Sequence, residues 1–341
     1  METTKLGKTD LNPSLIGFGG IPIIPLQFDA AVDIVRYCYE QGINFFDTAN
    51  AYGDSEKKIG SALESVRDKV ILATKTQKRD AAGTAKHIDF SLKNLQTDTI
   101  DLYQLHSLTE QESLDKVLAP GGAYEAAAKA KDEGKIRFVG FTSHNIDVAI
   151  NACQTGLFAT VQIPFNFIEN DPADKLFEVA EKQEMGIIAM KPLGGGLLER
   201  AALCFKFLQQ YPSVVPIPGV ATQSDIDEII DLYRAPQPLS DADWKDIERI
   251  RTELGIQFCH RCGYCQPCEQ NVEIPEVLLF QPLTKRISPA GVIHMTKTAM
   301  AGVENCIECG ECIEKCPYDL PIPDLLKENL ALFKDFLASH T

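Results

Sequence analysis

The sequence of 341 residues lacks the features that usually indicate membranes, nucleic acids or secretion. It contains no run of about 18 apolar residues, so we expect no membrane-spanning helix. Lys and Arg number 33 against 48 Asp and Glu, a formal net charge of −15. Such a charge disfavours binding to nucleic acid or to an anionic membrane surface. Residues 1–20 contain no basic segment followed by an apolar core, so we expect no secretory signal and a cytoplasmic location.

What the sequence does contain, from about residue 14 to residue 254, is a regular alternation of strand and helix patterns. The eight predicted strands cover residues 14–19, 43–47, 70–75, 100–106, 136–143, 160–167, 186–193 and 214–219. A helix pattern follows each strand, and such alternation is typical of α/β proteins with a parallel sheet. Eight units within about 220 residues predict a closed (β/α)8 barrel, with an open doubly wound sheet as the alternative. We place the barrel domain at residues 1–255.

Polar side chains end three successive predicted strands. Residues 45–53 read F-F-D-T-A-N-A-Y-G and supply Asp47 and Tyr52, the next strand ends on Lys75, and the third ends on His106. The carboxyl ends of barrel strands meet at one rim, where barrel enzymes hold their active sites. An ammonium beside a phenol lowers the pKa of the phenol, and an imidazole can orient a carbonyl group. The pattern therefore predicts a proton donor for a carbonyl oxygen, unless these are four unrelated polar residues.

The cysteines are unevenly distributed. Of the 11, Cys38, Cys153 and Cys204 are scattered in helical patterns and are expected to be small buried residues. The other eight form two runs: Cys259, Cys262, Cys265 and Cys268, and then Cys306, Cys309, Cys312 and Cys316. Without a secretory signal, such runs indicate metal binding rather than disulfides.

The second run, C-x2-C-x2-C-x3-C-P, has the spacing of bacterial ferredoxins, which predicts 4Fe–4S clusters. Zinc sites, the alternative, usually separate their cysteine pairs by a longer segment. Residues 256–341 resemble a two-cluster ferredoxin domain that carries an insertion at 271–301 and ends in a helix. We expect this insertion to pack on the barrel. The first run departs from the ferredoxin pattern, because its last gap is two residues and Glu269 stands where proline is usual.

The ferredoxin resemblance implies that each run lends its last cysteine to the other cluster. Cys316 would then complete the cluster of the first run, and Cys268 would complete that of the second. Which cluster each of these two cysteines serves stays open, because of the departure in the first run.

The motifs F-D-T-A-x-x-Y-G, L-A-T-K and L-x-Q-L-H occur in this order and resemble those of the aldo-keto reductase superfamily. The resemblance covers roughly residues 1–250. It implies that Tyr52 is the general acid, that Lys75 and Asp47 tune it, and that His106 orients the substrate. It also implies an extended NAD(P)(H) bound without a Rossmann fold, and no G-x-G-x-x-G pattern follows any predicted strand.

The same resemblance assigns the nicotinamide end of the cofactor. The carboxamide ligands of the family fall at Ser143, His144 and Gln162. His144 replaces the usual Asn, and Asn145 beside it could substitute. Met190 takes the position of the aromatic residue that stacks on the nicotinamide ring.

The remaining cofactor positions follow the seventh and eighth strands. Lys191, Leu193 and the glycines at 194–196 would lie along the pyrophosphate. Gly219 and Asp225 occupy positions where many members hold a 2′-phosphate with Lys and Arg. A carboxylate repels that phosphate and can accept a hydrogen bond from a ribose hydroxyl group. We therefore expect NADH rather than NADPH.

Two functions of different class are consistent with these features. The first is NAD(P)H-dependent reduction of a small carbonyl compound, or oxidation of the corresponding alcohol. The alternative is an electron-transfer component whose clusters link the barrel to a flavin or to a redox partner protein. No flavin motif is visible, although barrels can bind flavin phosphate without one. The loops predicted at 21–28, 107–122 and 194–198 are short, which suggests an open site and leaves the substrate undefined.

Overall fold

A computed structural model describes residues 1–255, 259–284, 288–316 and 318–340. Contacts divide the chain into two compact units, Met1–Leu239 and Ser240–Thr341. The sequence predicted the boundary after Gly255, whereas the contacts group the helix Asp241–Gly255 with the second unit. Pro236 and Pro238 interrupt the chain before this helix, which separates it from the preceding elements. Residues 256–258 and Pro317, which the sequence interpretation also used, lie outside the described residues.

The first unit is built on eight parallel strands that pair in chain order. They are β1 Phe18–Gly19, β2 Phe45–Asp47, β3 Ile71–Thr76, β4 Ile100–Leu105, β5 Ile136–Thr142, β6 Thr160–Pro164, β7 Gly186–Met190 and β8 Val214–Pro216. Backbone hydrogen bonds from Gly17 N to Pro216 O and from Gly19 N to Pro218 O, both 2.8 Å, join the two ends of the sheet. The prediction of a (β/α)8 barrel is therefore confirmed.

Sixteen helices are present in the described residues, ten of them in the first unit. Those of the first unit are α1 Phe28–Glu40, α2 Ser55–Leu63, α3 Ala81–Asn94, α4 Gln111–Leu118, α5 Ala123–Asp132, α6 Ile146–Gln154, α7 Asp171–Lys175, α8 Phe177–Lys182, α9 Ala201–Leu208 and α10 Gln223–Arg234. Those of the second unit are α11 Asp241–Gly255, α12 Ile274–Leu278, α13 Phe280–Thr284, α14 Pro289–Gly302, α15 Glu311–Glu314 and α16 Ile322–His340. Short 3₁₀ helices cover Glu64–Lys69 and Val303–Asn305.

Two connections differ from the sequence prediction. Residues 107–122, expected to be a loop, contain α4, which buries Leu114 and Val117. The helix predicted at 173–184 is divided into α7 and α8 at Leu176, whose backbone departs from ideal helical geometry while its side chain is fully buried. In both places the burial of apolar side chains decides the local backbone, which a short sequence pattern does not reveal.

An N-terminal hairpin closes the amino-terminal end of the barrel. Backbone hydrogen bonds from Thr4 N to Pro13 O and from Leu6 N to Leu11 O hold its two arms together. Leu6 and Leu11 are buried in one apolar cluster with side chains of β2, β3, β4 and β7. Gly7 has a φ of +57°, and a Cβ there would lie 2.2 Å from Gly186 N, so only glycine fits this turn against β7.

A charged network lies at the same end of the barrel, around Asp101 of β4. Asp101 is 4% exposed, and its carboxylate accepts hydrogen bonds from Arg67 Nη2 at 2.7 Å, from Arg137 Nη1 at 2.6 Å and from Leu72 N at 2.9 Å. Arg137 also reaches Asp10 of the N-terminal hairpin at 2.7 Å. One buried carboxylate thus connects three strands and the hairpin, at the end of the barrel where polar networks serve stability.

We expect Asp101→Ala to destabilise the barrel by about 3 kcal/mol, because it leaves Arg67 and Arg137 without their shared acceptor. The free energy of unfolding of the barrel, measured by urea denaturation, checks this. Asp98→Ala, which removes an exposed carboxylate from the preceding turn, serves as the control. Equal stability of the two variants would contradict the role assigned to the network.

The second unit has its own apolar core. Side chains of α12, α13, α14 and α16, among them Val277, Phe280, Val292 and Phe333, form one buried cluster. The sequence predicted that the insertion 271–301 packs on the barrel, and this stays a prediction; its apolar side chains contribute to the core of the second unit. Several cysteines lie against the same cluster, and Cys316 is part of it. Among the described residues, no helix is both long enough and apolar enough to cross a membrane.

Candidate active site and candidate metal centre

The carboxyl ends of β2, β3 and β4 bring the predicted catalytic residues together. Lys75 Nζ donates a hydrogen bond to Asp47 Oδ1 in an ion pair, with Lys75 1% and Asp47 2% exposed. The same ammonium donates to Thr48 O at 2.7 Å. Strand pairing brings the Asp47 and Lys75 side chains together, because Asp47 pairs with Ala73, which is two residues before Lys75 on the neighbouring strand. The lysine is therefore fixed by two acceptors in a site closed to solvent.

Tyr52 lies above this pair, in the loop between β2 and α2. Lys75 Nζ is 5.2 Å from the centre of the Tyr52 ring. The His106 ring meets the Tyr52 ring edge to face, with 5.8 Å between centroids. Asp47, Tyr52, Lys75 and His106 thus lie at one rim. The sequence-based assignment of their catalytic roles stays a prediction.

The charge of Asp47 depends on opposing effects. Burial raises the pKa of this carboxyl group, while the Lys75 ammonium and hydrogen bonds from the amides of Gln104 and Gln162 act to lower it. The Gln104 bond, from Nε2 to Asp47 Oδ2, is 3.0 Å long. Two buried amides and one ammonium surround the carboxylate, which is the environment that a buried ion pair requires.

Sequence reasoning did not assign roles to two residues that orient this site. Gln104 stood within the quoted L-x-Q-L-H motif, and an amide inside an otherwise apolar strand was the available signal. Arg79, after β3, donates from Nη2 to His106 O at 2.8 Å and to Ser107 O at 3.0 Å. It holds the turn that carries His106, and no local pattern marked it.

The eight clustered cysteines of the second unit form two sets, each drawn from both runs. Burial, followed by the nearby charges of Cys259, Cys262 and Cys316, raises the pKa of Cys265 to about 12. Cys316 of the second run therefore lies with the first three cysteines of the first run.

The other set has the reciprocal composition. Burial raises the pKa of Cys312, and the nearby thiols of Cys306, Cys309 and Cys268 raise it further. One cavity is lined by all four of these residues, and Cys265 also borders it. Cys268 of the first run thus lies with the second run, as the ferredoxin resemblance implied.

The thiols fit iron–sulfur clusters by their number, their chemistry and their grouping. Four cysteines per set supply the four thiolates that a 4Fe–4S cube requires. Within the described part of the chain, no group of three or more His, Cys, Asp or Glu side chains is arranged to hold a single metal ion.

Known families match both units of the chain. Residues 15–204 match the aldo/keto reductase family model. The chain belongs to the aldo/keto reductase family. Residues 258–321 match the model of a 4Fe-4S dicluster domain, so this family member carries an iron–sulfur domain after its barrel.

Two oxidoreductases are similar to this chain in sequence. L-galactose dehydrogenase of Arabidopsis thaliana is 33% identical over 217 residues, which cover 58% of this chain and 67% of that protein. The oxidoreductase YqkF of Bacillus subtilis is 30% identical over 217 residues, covering 60% of this chain and 68% of that protein. The relatives therefore support an oxidoreductase.

Solved structures are similar to the barrel in fold. The holo form of an aldo-keto reductase from Bacillus halodurans superimposes with a TM-score of 0.65 at 24% identity, covering 73% of this chain and 96% of that chain. An aldo/keto reductase from Klebsiella pneumoniae in complex with NADP and acetate gives a TM-score of 0.62 at 22% identity, covering 73% and 95%. At these identities the likeness shows the fold alone.

The residues predicted to bind the nicotinamide carboxamide in this aldo/keto reductase differ in the hydrogen bonds that their side chains make. Among the described residues, the buried Gln162 Oε1 has no hydrogen-bond partner. Ser143 Oγ is engaged with the backbone of Asn145, and Asn145 Oδ1 caps α6 by accepting from Asp147 N and Val148 N. The side-chain oxygen of Asn145 is thus occupied, which disfavours the idea that Asn145 substitutes at the position of His144.

The loop after β7 has a specific backbone. Lys191 has a φ of +54°, and Gly194, Gly195 and Gly196 also have positive φ values. Gly194 N donates to Lys191 O and Gly196 N to Leu193 O, each at 2.8 Å. These two amides are therefore used within the loop. Met190 ends β7 and is partly buried against the barrel core, and its role beside the nicotinamide ring stays a prediction.

The adenosine-end residues lie after β8. Asp225 forms a capping box at the start of α10, where its carboxylate accepts from Thr222 N at 3.1 Å and its own N–H donates to Thr222 Oγ1 at 3.2 Å. Gly219 packs against Pro22, because a Cβ there would lie 2.6 Å from Pro22 Cγ. A lysine at position 219 would clash with this proline.

Proposed function

We propose that the barrel reduces a small carbonyl compound with NAD(P)H, or oxidises the corresponding alcohol, and that Tyr52 is its general acid. The observation that carries this proposal is the cluster of Tyr52, Lys75, Asp47 and His106 at the carboxyl rim of a barrel. The buried ion pair keeps a positive charge 5.2 Å from the centre of the phenol ring. Membership of an oxidoreductase family supports the same reaction class.

Each residue has a distinct task in this proposal. The Tyr52 hydroxyl donates a proton to the carbonyl oxygen, and the Lys75 ammonium stabilises the phenolate that remains. Asp47 keeps Lys75 in place and charged. His106, at the edge of the Tyr52 ring, orients the carbonyl group. When bound, the dinucleotide supplies the hydride that the carbonyl carbon receives.

The residues present fit a nicotinamide group at the same rim. The unpartnered oxygen of Gln162 lies in a buried site and can accept a hydrogen bond from a carboxamide NH₂. His144 and Ser143 follow β5 beside it, and Met190 ends the strand on the other side of β6. Lys191 and Leu193 would then face the pyrophosphate, with Gly219 and Asp225 near the adenosine.

Asp225 supports NADH as the preferred cofactor, and a charge reversal tests it. Asp225→Arg should raise the ratio of kcat/KM for NADPH over NADH about tenfold, the equivalent of one charge-assisted hydrogen bond to the 2′-phosphate. Position 219 is left unchanged because of Pro22. Asp231→Arg makes the same change of charge six residues further along α10 and should leave the ratio unaltered. Equal ratios in both variants would place the adenosine elsewhere.

We further propose that the second unit holds two 4Fe–4S clusters. Cys259, Cys262, Cys265 and Cys316 would hold one, and Cys268, Cys306, Cys309 and Cys312 the other. Their exposure to solvent differs, since Cys309 is exposed whereas Cys316 is buried. An exposed ligand supports the alternative function, in which the clusters pass electrons to a redox partner protein or through a flavin.

Anaerobic assays distinguish the two functions. The purified protein should consume NADH or NADPH when given simple aldehydes, with no flavin absorbance and no added electron carrier. Consumption of NADH or NADPH that requires flavin or a one-electron acceptor, with no alcohol formed, would favour the electron-transfer function instead.

A further inference from the structure

A buried lysine lies close to the active site in sequence but is not part of it. The side chain of Lys58, on α2, is 1% exposed, although lysine is almost never fully buried without partners. Its Nζ donates to the backbone oxygens of Ile23 at 3.0 Å, Ile24 at 3.0 Å and Leu26 at 2.9 Å. A fourth partner is Asp54 Oδ1, at 2.7 Å.

These carbonyl groups belong to residues 21–26, the loop that joins β1 to α1. Its sequence is I-P-I-I-P-L, so it has no charged side chain, and two prolines restrict its backbone. Just before the loop, Gly20 N donates to Asp47 O at 2.8 Å, and Ser55 Oγ donates to Gly20 O at 2.9 Å. The loop is therefore tied at its beginning to the catalytic strand and along its length to Lys58.

The loop lies at the barrel rim beside the phenol. A Cβ at Gly53, the residue after Tyr52, would lie 3.7 Å from Ile24 Cγ2. At the other side, Pro22 packs on Gly219 after β8. Ile23 is fully buried, whereas Ile21, Ile24 and Leu26 remain partly exposed. The loop thus presents apolar side chains to solvent between the candidate catalytic and cofactor residues.

We propose that Lys58 is a positioning residue that holds residues 21–26 as an apolar wall beside Tyr52, and that this wall selects carbonyl substrates with an apolar substituent. This inference rests on the proposed carbonyl reduction. Removal of the ammonium leaves three inward-pointing carbonyl groups without their common donor, so the loop must rearrange to find water. The wall then loses its fixed position relative to the phenol.

Lys58→Met tests the positioning, because it keeps the length of the side chain and removes its donors. Lys57→Met is the matched control, since Lys57 is the adjacent exposed lysine of the same helix. Amide hydrogen exchange of residues 20–28 should be faster in Lys58→Met than in wild type and unchanged in Lys57→Met. The dissociation constant for the dinucleotide should change little in either variant.

Substrate selectivity tests the wall. Across propanal, butanal, pentanal and hexanal, wild-type kcat/KM should rise by up to about fourfold for each methylene that the wall buries. This increment should fall in Lys58→Met through a higher KM for the longer aldehydes, with kcat nearly retained. Ile24→Ala, a change at a partly exposed side chain that leaves Lys58 in place, should reduce the increment as well.

The results separate this inference from the function on which it rests. An unchanged rate of amide hydrogen exchange at residues 20–28 in a folded Lys58→Met variant would overturn the positioning role. An unchanged chain-length increment in Ile24→Ala would overturn the wall, and this variant decides the matter if Lys58→Met does not fold. If wild type reduces none of the aldehydes, the proposed function fails. The amide hydrogen exchange of residues 20–28 alone then decides the role of Lys58.

Discussion

Tyr52→Phe is expected to lower the rate of carbonyl reduction by about 10²- to 10⁴-fold, the usual contribution of a general acid. This loss corresponds to about 2.7 to 5.4 kcal/mol of transition-state stabilisation. The change removes only the hydroxyl group, so the ring that faces Lys75 and His106 is retained. The dissociation constant for the dinucleotide should therefore stay near that of wild type.

Steady-state kinetics with one aldehyde, combined with dinucleotide titration, measure this effect. Tyr37→Phe is the matched control, because its hydroxyl donates to Asp227 at 2.7 Å and belongs to neither candidate site. Activity of Tyr52→Phe within a few-fold of wild type would show that another group donates the proton. A parallel loss of dinucleotide binding would assign Tyr52 to the cofactor rather than to the chemistry.

The second large effect concerns iron. Protein purified without oxygen should contain about eight irons per chain, the content of two four-iron cubes. Cys309→Ser should lose about four of them, because Cys309 belongs to one of the two cysteine sets. The barrel should stay folded, since it has its own core. Carbonyl reduction should persist, because the proposed proton and hydride transfers need no iron.

Iron analysis and visible absorbance check these expectations, with Cys153→Ala as the control. Cys153 is buried in the barrel, where burial raises the pKa of its thiol to about 12, and it lies in neither cysteine set. Its removal should leave the iron content unchanged. Zinc in place of iron, or four or fewer irons in wild type, would contradict the two clusters. Loss of carbonyl reduction with dinucleotide still bound would show that electrons pass through the iron.

Local sequence patterns predicted the features that repeat or that follow strand ends. The strand–helix alternation predicted all eight barrel strands and their order. Because parallel strands end at one rim, the residues that follow them were expected to meet, and Lys75 and Asp47 do so. The exchange of Cys268 and Cys316 between the two clusters came from the ferredoxin resemblance. The structure places the thiols of Cys316 near Cys265 and of Cys268 near Cys312, and the cluster that each serves stays a prediction.

Features that depend on contacts between distant segments were not predicted. The burial of Leu6 in the barrel core depends on β7, about 180 residues later in the chain, where a Cβ on Gly186 would touch it. The occupation of Asn145 as a helix cap, and the packing of Pro22 on Gly219, likewise involve groups that no local pattern joins. No local pattern distinguishes Lys58 from the adjacent Lys57, and the three distant carbonyl groups together with the Asp54 carboxylate explain its burial.

The most direct test of the central claim is the fate of the hydride. With a dinucleotide deuterated at the transferred position of nicotinamide C4, a single anaerobic turnover with an aldehyde should place one deuterium on the carbinol carbon of the alcohol. Wild type and Cys309→Ser should give the same labelled product, and Tyr52→Phe should give it far more slowly. If the dinucleotide carries deuterium at both C4 positions, alcohol that forms without deuterium would contradict direct hydride transfer in the barrel.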